Sequence, residues 1–354
     1  MARISYFLGA NTPGGFYSLM DKLLDPSKAR ANYILKGGPG CGKSTLMKKL
    51  GAWGEELGHT PEYIWCSGDP DSLDGVIFPD LGVAVADGTA PHIIEPNYPA
   101  AVESYVNLGE CYDRPALVEH RAEIMELMAG YQAQYRRAYR CLKGAGQLLE
   151  DNLELLETPE LKEKIRKRAK GIIAREIPKR GPGAEVTERF LSAVTCKGQV
   201  CLFETADALC KRIYELADSY GLGHLLLEEL LSAAVERGHR AVVCPDPMAP
   251  RHIQHLLLPE LGVGFVAGTA ALPYPGSPYR RVRLDAMADQ ELLRRHRARV
   301  RFTKKVAAAL MEEGMETLAV EKTLHDRLEA VYNPHVDFDR VQAVAESLAG
   351  EIFG

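Results

Sequence analysis

The sequence predicts an α/β protein made of two tandem copies of one unit, each with a parallel sheet followed by long helices. Three observations support this prediction: the length, an internal repeat, and apolar strands that alternate with helical stretches. At roughly 150 residues per domain, a chain of 354 residues corresponds to about two domains. With 46% hydrophobic residues and a formal charge of −5, the composition excludes a disordered chain or a strongly cationic nucleic-acid binder.

The chain is predicted to be cytosolic and to have no membrane partner. It contains no run of about 18 or more apolar residues that could span a membrane, and the apolar stretch before Asn11 is too short for a signal peptide. Its eight cysteines form no Cys-x-x-Cys pair. We therefore expect them to be reduced and structural rather than metal ligands.

The repeat consists of three pairs of matching segments. These pairs are the segments that start at Phe7 and Phe190, residues 56–59 with 236–239, and residues 79–90 with 259–270. The last pair is identical at seven of twelve positions, and the offset is 183 for the first pair and 180 for the others. Because three separate segments agree in order and nearly in spacing, we interpret the chain as a duplication.

A linker is expected where the two copies meet. Residues 179–185 contain the sequence Gly-Pro-Gly, which is typical of a connection between domains. This linker predicts a first unit at residues 1–183 and a second unit at residues 184–354.

The elements of the first unit follow one another in a simple order. A strand at residues 4–8 leads through a turn-rich loop into a predicted helix at residues 16–24. The next strand, around Tyr33, precedes a glycine-rich loop and a helix with apolar residues at helical spacing. Two further strands, at residues 62–66 and 82–86, complete an alternation that is typical of a parallel sheet covered on both faces.

Long helices are predicted after each sheet. Apolar residues recur at nearly 3.5-residue spacing within residues 117–149 and 292–331, as in helices that pack along each other. Basic residues cluster at 162–170 and 280–305. A solvated helix face, a contact surface for a phosphate backbone and an arginine supplied to a phosphate site are all compatible with these clusters.

The most specific motif is the loop between the second predicted strand and its helix. Its sequence GGPGCGKST matches G-x-x-x-x-G-K-[ST] without deviation. Glycines allow backbone N–H groups to turn inward around an anion, and the start of the helix adds a positive end. The motif predicts a nucleoside triphosphate as ligand. The residues expected to bind it are Gly37, Gly38, Pro39, Gly40, Cys41, Gly42, Lys43, Ser44 and Thr45.

Three side chains are predicted to carry the chemistry, with ATP and Mg²⁺ as ligands. Lys43 is expected to reach the β- and γ-phosphates, and Ser44 to ligate Mg²⁺. Asp87 follows four small apolar residues of a neighbouring strand, so we expect it to hold Mg²⁺ beside Ser44. Lys43, Asp87 and His92 are the candidate catalytic residues, with His92 near the γ-phosphate. No Glu follows Asp87, so the sequence does not identify a water-activating residue.

The second copy retains the scaffold of this site without its chemistry. Its residues at the matching offset are Gly223 or His224 for Lys43, Ala267 for Asp87 and Leu272 for His92. Around Asp87, identical partners are kept by Leu81, Gly82, Val83, Gly88, Thr89 and Ala90. We therefore expect one nucleotide site, in the first unit, and a second unit that serves in regulation or partner binding.

Three carboxylates lie between the two motifs of the first unit, at Asp69, Asp71 and Asp74. They are candidates to position water, a second metal ion or an acceptor hydroxyl. An ordinary Asx-turn loop would carry the same residues. The corresponding residues 248–255 of the second unit contain no carboxylate.

With these motifs, the chain resembles an uncharacterised family of bacterial cytosolic tandem P-loop ATPases. The resemblance extends over essentially the whole chain and rests on residues 37–45, 71–74 and 87–92. The second unit departs from the family at all three corresponding segments. The resemblance implies two P-loop NTPase-like units and nucleotide binding in the first.

The leading hypothesis is a Mg²⁺-dependent ATP-binding protein that hydrolyses ATP slowly. One alternative is a small-molecule or nucleotide kinase whose acceptor faces Asp69, Asp71 or Asp74. Another is a nucleotide-gated interaction protein without turnover, for which a protein partner or self-association is expected. A nucleic-acid-stimulated ATPase is a subsidiary variant.

Overall fold

The computed structural model describes residues 3–91, 93–269 and 271–354. The strands of the first unit are β1 (Ile4–Phe7), β2 (Gly9–Thr12), β3 (Gly15–Ser18), β4 (Ala31–Lys36), β5 (Glu62–Trp65), β6 (Leu73–Phe78), β7 (Val83–Asp87) and β8 (Glu103–Asn107). Its helices are α1 (Lys43–Glu56), α2 (Arg114–Glu119), α3 (Arg121–Leu156) and α4 (Pro159–Glu176). Six of these strands form one sheet in the order β1-β5-β6-β7-β4-β8.

The second unit repeats this arrangement. Its strands are β9 (Val186–Glu188), β10 (Ser192–Thr195), β11 (Gly198–Cys201), β12 (Arg212–Ala217), β13 (Ala241–Asp246), β14 (Ala249–Leu258), β15 (Val263–Gly268) and β16 (Arg280–Arg283). Its helices are α5 (Phe203–Leu209), α6 (Gly223–Glu236), α7 (Gln290–Arg295), α8 (Arg297–Tyr332) and α9 (Phe338–Phe353). The sheet order β9-β13-β14-β15-β12-β16 corresponds strand by strand to the first sheet.

Both sheets are mixed, so the prediction of parallel sheets is correct for only part of each sheet. In the first sheet β6 runs antiparallel to both β5 and β7, whereas β4 is parallel to β7 and β8. The short connection at residues 66–72 contains no helix. A connection of this length joins neighbouring strands as a hairpin, while parallel neighbours need a longer crossover.

The predicted helix at residues 16–24 is wrong. Residues 15–18 form β3, which pairs with β2, and only Met20–Lys22 form a 3-10 turn. Gly15 has a φ of +105°, and the Thr12 hydroxyl accepts a hydrogen bond from the Gly14 N–H at 3.1 Å. These features close a tight hairpin, whose backbone pairing prevails over an apolar pattern of helical spacing.

The two sheets share an apolar core between their inner faces. The core includes Ile64 and Ala86 from the first sheet and Leu257 and Val266 from the second. The backbones of Phe7 and Phe190 exchange two hydrogen bonds, each of 2.9 Å. These phenylalanines occupy equivalent positions of the repeat. The two copies therefore contact each other here through the same residue of each copy.

The outer face of each sheet is packed by a helix of its own unit, α1 or α6, and each of these helices contacts a helix of the other unit. Helix α4 packs on α6 of the second unit, where Ile165 and Leu227 belong to one core. Helix α9, at the end of the second unit, packs on α1 of the first, with Ala345 and Leu50 in a common core. The long helices α3 and α8 pack along each other, as the apolar spacing predicts.

The described residues include no helix with both the length and the apolar character needed to traverse a lipid bilayer.

Candidate functional site

The glycine-rich loop lies between β4 and α1, as predicted. Gly40 and Gly42 have φ values of +68° and +85°, a left-handed backbone that glycine adopts without steric cost. Gly42 directly precedes the helix and has no side chain that could cap its first N–H groups. Such free N–H groups at the start of a helix favour an anion.

Lys43 is held over this loop by the loop itself. Its ammonium donates hydrogen bonds to the carbonyl oxygens of Gly37 and Gly38, each at 2.8 Å. The same Nζ lies 3.6 Å from Oδ2 of Asp87, and the two side chains are only 11% and 15% exposed. These three contacts orient the ammonium at the loop.

Asp87 reaches the site because its strand lies next to the strand that leads into the loop. In the parallel pairing of β4 and β7, Leu35 is opposite Asp87. Oδ1 of Asp87 accepts hydrogen bonds from the N–H and the hydroxyl of Thr89, at 2.8 and 2.6 Å. These bonds fix the carboxylate and leave Oδ2 on the side of Lys43.

Ser44 and Thr45 continue the site along the first turn of α1. The Ser44 hydroxyl accepts a hydrogen bond from the N–H of Leu73 at 2.9 Å, which ties it to the start of β6. Thr45 is exposed. The structure thus brings Lys43 and Asp87 into contact and places Ser44 beside them, whereas His92 lies outside the described residues.

The loop is enclosed by residues that no sequence motif identified. A Cβ atom at Gly40 would lie 2.6 Å from Oδ1 of Asn333 and 3.1 Å from the carbonyl oxygen of Glu329, both near the end of α8. The Tyr112 hydroxyl donates a hydrogen bond to the carbonyl of Pro39 at 2.9 Å. These residues are far from the loop along the chain, so local sequence patterns carry no signal for them.

The three acidic candidates Asp69, Asp71 and Asp74 have different surroundings in the structure. Asp69 accepts a hydrogen bond from the Ser72 hydroxyl at 2.7 Å and lies 3.5 Å from the ammonium of Lys322. Asp71 is exposed and forms an ion pair with Lys197. Asp74 differs from both, because it is part of β6 rather than of a loop and is only 4% exposed.

The corresponding loop of the second unit holds an anion from its own chain. The carboxylate of Asp218 accepts hydrogen bonds from the N–H groups of Tyr220, Leu222 and Gly223 at 3.1, 3.0 and 2.6 Å. Burial raises the pKa of this carboxyl, and the three N–H donors act against that rise. A loop of this form at the start of a helix therefore accommodates a negative charge.

Helix positions decide which residue of the second unit corresponds to Lys43. Helix α1 begins at Lys43 and α6 begins at Gly223, so Gly223 is the counterpart and His224 corresponds to Ser44. The His224 ring lies 2.7 Å from the carbonyl of Gly221 and 3.2 Å from a carboxylate oxygen of Glu157. The second loop thus has neither the lysine nor the serine of the first.

The residues of the first loop fit Mg²⁺ and a triphosphate. The start of α1 carries the ammonium of Lys43, and Ser44 and Asp87 have the hydroxyl and carboxylate oxygens that Mg²⁺ prefers as ligands. Comparisons of the chain with protein-family models, curated proteins and solved structures find no match.

Proposed function

We propose that the first unit binds ATP with Mg²⁺ and hydrolyses it slowly, and that both units are P-loop NTPase-like. The observation that carries this proposal is the position of Lys43. Its ammonium is fixed between the carbonyls of Gly37 and Gly38 and the carboxylate of Asp87, at the first residue of α1. A lysine ammonium and the positive end of a helix repel each other. Their proximity becomes favourable when an anion is bound between the two.

Each residue has a distinct part in this proposal. The loop N–H groups and Lys43 hold the phosphates, Ser44 and Asp87 hold Mg²⁺, and Thr45 donates to the α-phosphate. When bound, Mg²⁺ neutralises the charge that develops on the phosphate oxygens. His92 remains a candidate near the γ-phosphate.

Slow turnover is expected because no acid comes directly after Asp87. The next residues are Gly88 and Thr89, neither of which can accept a proton as a carboxylate does. A phosphate loop without such a group at this position provides binding and orientation but limited stabilisation of the transition state.

Replacement of Lys43 tests the proposal. We expect Lys43→Ala to lower acceptor-independent phosphate release from Mg-ATP by about 100-fold or more, because the charge that stabilises the γ-phosphate is lost. The control is Lys49→Ala on the same helix, where the lysine contacts Gln342 on α9 and not the loop. Unchanged turnover in Lys43→Ala would contradict the proposal.

A nucleotide-gated interaction protein is the second candidate. It is supported by the helices of the second unit that contact the loop: Asn333 lies against Gly40, and Phe338 and Val341 lie against Gly42. A change in the loop on nucleotide binding would act directly on α8 and α9. Tight retention of ATP without product after long incubation would favour this candidate over the ATPase.

A further inference from the structure

Asp74 occupies a β-bulge at the edge of the proposed nucleotide site. In the pairing of β5 with β6, Ile64 is opposite Gly75 and Trp65 is opposite Leu73. Asp74 is therefore the extra residue that β6 carries at this bulge. Bulges of this kind redirect a side chain and recur next to active sites.

One hydrogen bond and the strand register place this bulge near the residues proposed to hold Mg²⁺. The N–H of Leu73, the residue before Asp74, donates to the Ser44 hydroxyl at 2.9 Å. On the other side of β6, Gly75 is opposite Ala86. Asp74 and Asp87 are the next residues of β6 and β7 beyond that pair, so both lie at the same edge of the sheet.

The surroundings of Asp74 are buried. The side chain is 4% exposed, and its neighbours include Cys66 and Tyr135. Burial raises the pKa of the Cys66 thiol and of the Tyr135 phenol well above their usual values. Both groups therefore stay protonated and neutral near pH 7.

The second unit provides a natural comparison. Its strands keep the bulge, because Cys244 is opposite His255 and Pro245 is opposite Ile253, which leaves Gln254 as the extra residue. The fold has kept the bulge while the carboxylate has become an amide, which cannot accept a proton near pH 7. The change accompanies the loss of Lys43 and Asp87 from the corresponding positions.

We propose that Asp74 is the general base for the hydrolytic water, an inference that rests on the proposed function. The water oxygen forms a bond to the γ-phosphorus while the bond from that phosphorus to the β–γ bridging oxygen breaks. The Asp74 carboxylate takes one proton of the water, ADP leaves with the bridging oxygen, and the proton then passes from Asp74 to solvent. This assignment places the proton acceptor on β6 rather than after Asp87 on β7, and turnover stays slow because the base adds no positive charge to stabilise the transition state.

Asp74→Asn and Asp74→Gln test the inference, the second variant reproducing the residue of the second unit. We expect kcat for Mg-ATP to fall between about 100-fold and 10,000-fold, with nucleotide affinity changed by less than about threefold. The fall of kcat with decreasing pH, which reports protonation of the base, should disappear in both variants. Asp74→Glu should recover part of the rate.

The control is Asp80→Asn, which removes a carboxylate beyond the opposite end of β6, where Asp80 pairs with His59. It should leave kcat unchanged. Melting temperatures of all variants establish that they fold.

The outcomes separate this inference from the proposed function. If the wild type hydrolyses Mg-ATP and Asp74→Asn does so at the same rate, Asp74 is not the base and only this inference is overturned. If the folded variants lose nucleotide binding together with turnover, Asp74 acts in binding and the inference is again overturned. A wild type that neither binds nor hydrolyses Mg-ATP would refute both.

Discussion

Single residues distinguish the two loops of the duplicated chain. Leu35 and Leu216 occupy the same place in their sheets, opposite Asp87 and Ala267 respectively. The residues two positions after these leucines, Gly37 and Asp218, therefore correspond to each other. At Gly37 no side chain enters the loop, whereas at Asp218 a carboxylate binds the loop N–H groups itself. In the second loop, a side chain of the protein itself provides the negative charge.

Replacement of a glycine by alanine should have opposite effects on stability in the glycine-rich loop and in an exposed helix. Gly40→Ala should destabilise the protein by about 1 to 3 kcal/mol, because Gly40 has a φ of +68° and its Cβ would contact Asn333. Gly171→Ala in α4 should stabilise it by about 0.5 to 1 kcal/mol, since nothing lies within 4 Å of the new atom. Urea denaturation measures both changes.

These expectations are specific to the local backbone. If both alanine variants changed the free energy of unfolding in the same direction, the left-handed backbone of Gly40 and its close contact with α8 would not explain the effect of Gly40→Ala.

At the scale of elements, the packing of α8 on α3 buries an acidic side chain, which is unfavourable when that side chain is charged. Glu321 on α8 is 2% exposed, and burial raises the pKa of its carboxyl to about 7. A hydrogen bond with Tyr135 and the nearby Lys322 lower this pKa, and Asp326 and Asp69 raise it. The carboxyl therefore binds its proton more tightly in the folded protein than in the unfolded chain.

This acid predicts a dependence of stability on pH. Because the folded state holds the proton more tightly, the contribution of Glu321 to stability falls as pH rises from about 4, its unfolded range, to about 7. Glu321→Gln should therefore gain stability relative to the wild type by about 3 kcal/mol more at pH 8 than at pH 4. Urea denaturation at both pH values measures the difference, and an equal effect at both would contradict the assignment.

At the scale of the whole molecule, the units depend on each other for their outer helices. Helix α9, from the far end of the chain, packs on α1 and shares the core of the first sheet, and α4, which precedes the second sheet, packs on α6 and shares the core of that sheet. The inner faces share one core. Neither unit has a complete set of covering elements within its own stretch of sequence, so we expect the chain to unfold as one cooperative body.

The duplication should nevertheless give one nucleotide site per chain. Isothermal titration should measure one equivalent of Mg-ATP, because Asp218 fills the second loop. At about 100 times its dissociation constant, the nucleotide should raise stability by about 2.7 kcal/mol, with no rise in Lys43→Ala. Addition of a Mg²⁺ chelator is the control. Two equivalents, or equal stabilisation of Lys43→Ala, would contradict a single site in the first unit.

The sequence anticipated the strands that lead into the site and missed the elements whose form depends on distant partners. β4, β7 and α1 were predicted close to their observed positions because their apolar patterns and glycines are local signals. The helix expected at residues 16–24 is instead β3 and a 3-10 turn, since β2 supplies backbone partners for Gly15–Ser18. β6 runs antiparallel to β5 because the connection between them, residues 66–72, is too short for a crossover.

The sequence alone determined the glycine-rich loop and its lysine, because this motif is carried by consecutive residues between a strand and a helix. Only the tertiary structure decided which other groups lie at the loop. The place of Asp74 results from strand register, and the approach of Asn333 results from the return of α8 to the first unit. Register and helix packing are set by contacts between distant segments, so no local pattern in the chain specifies them.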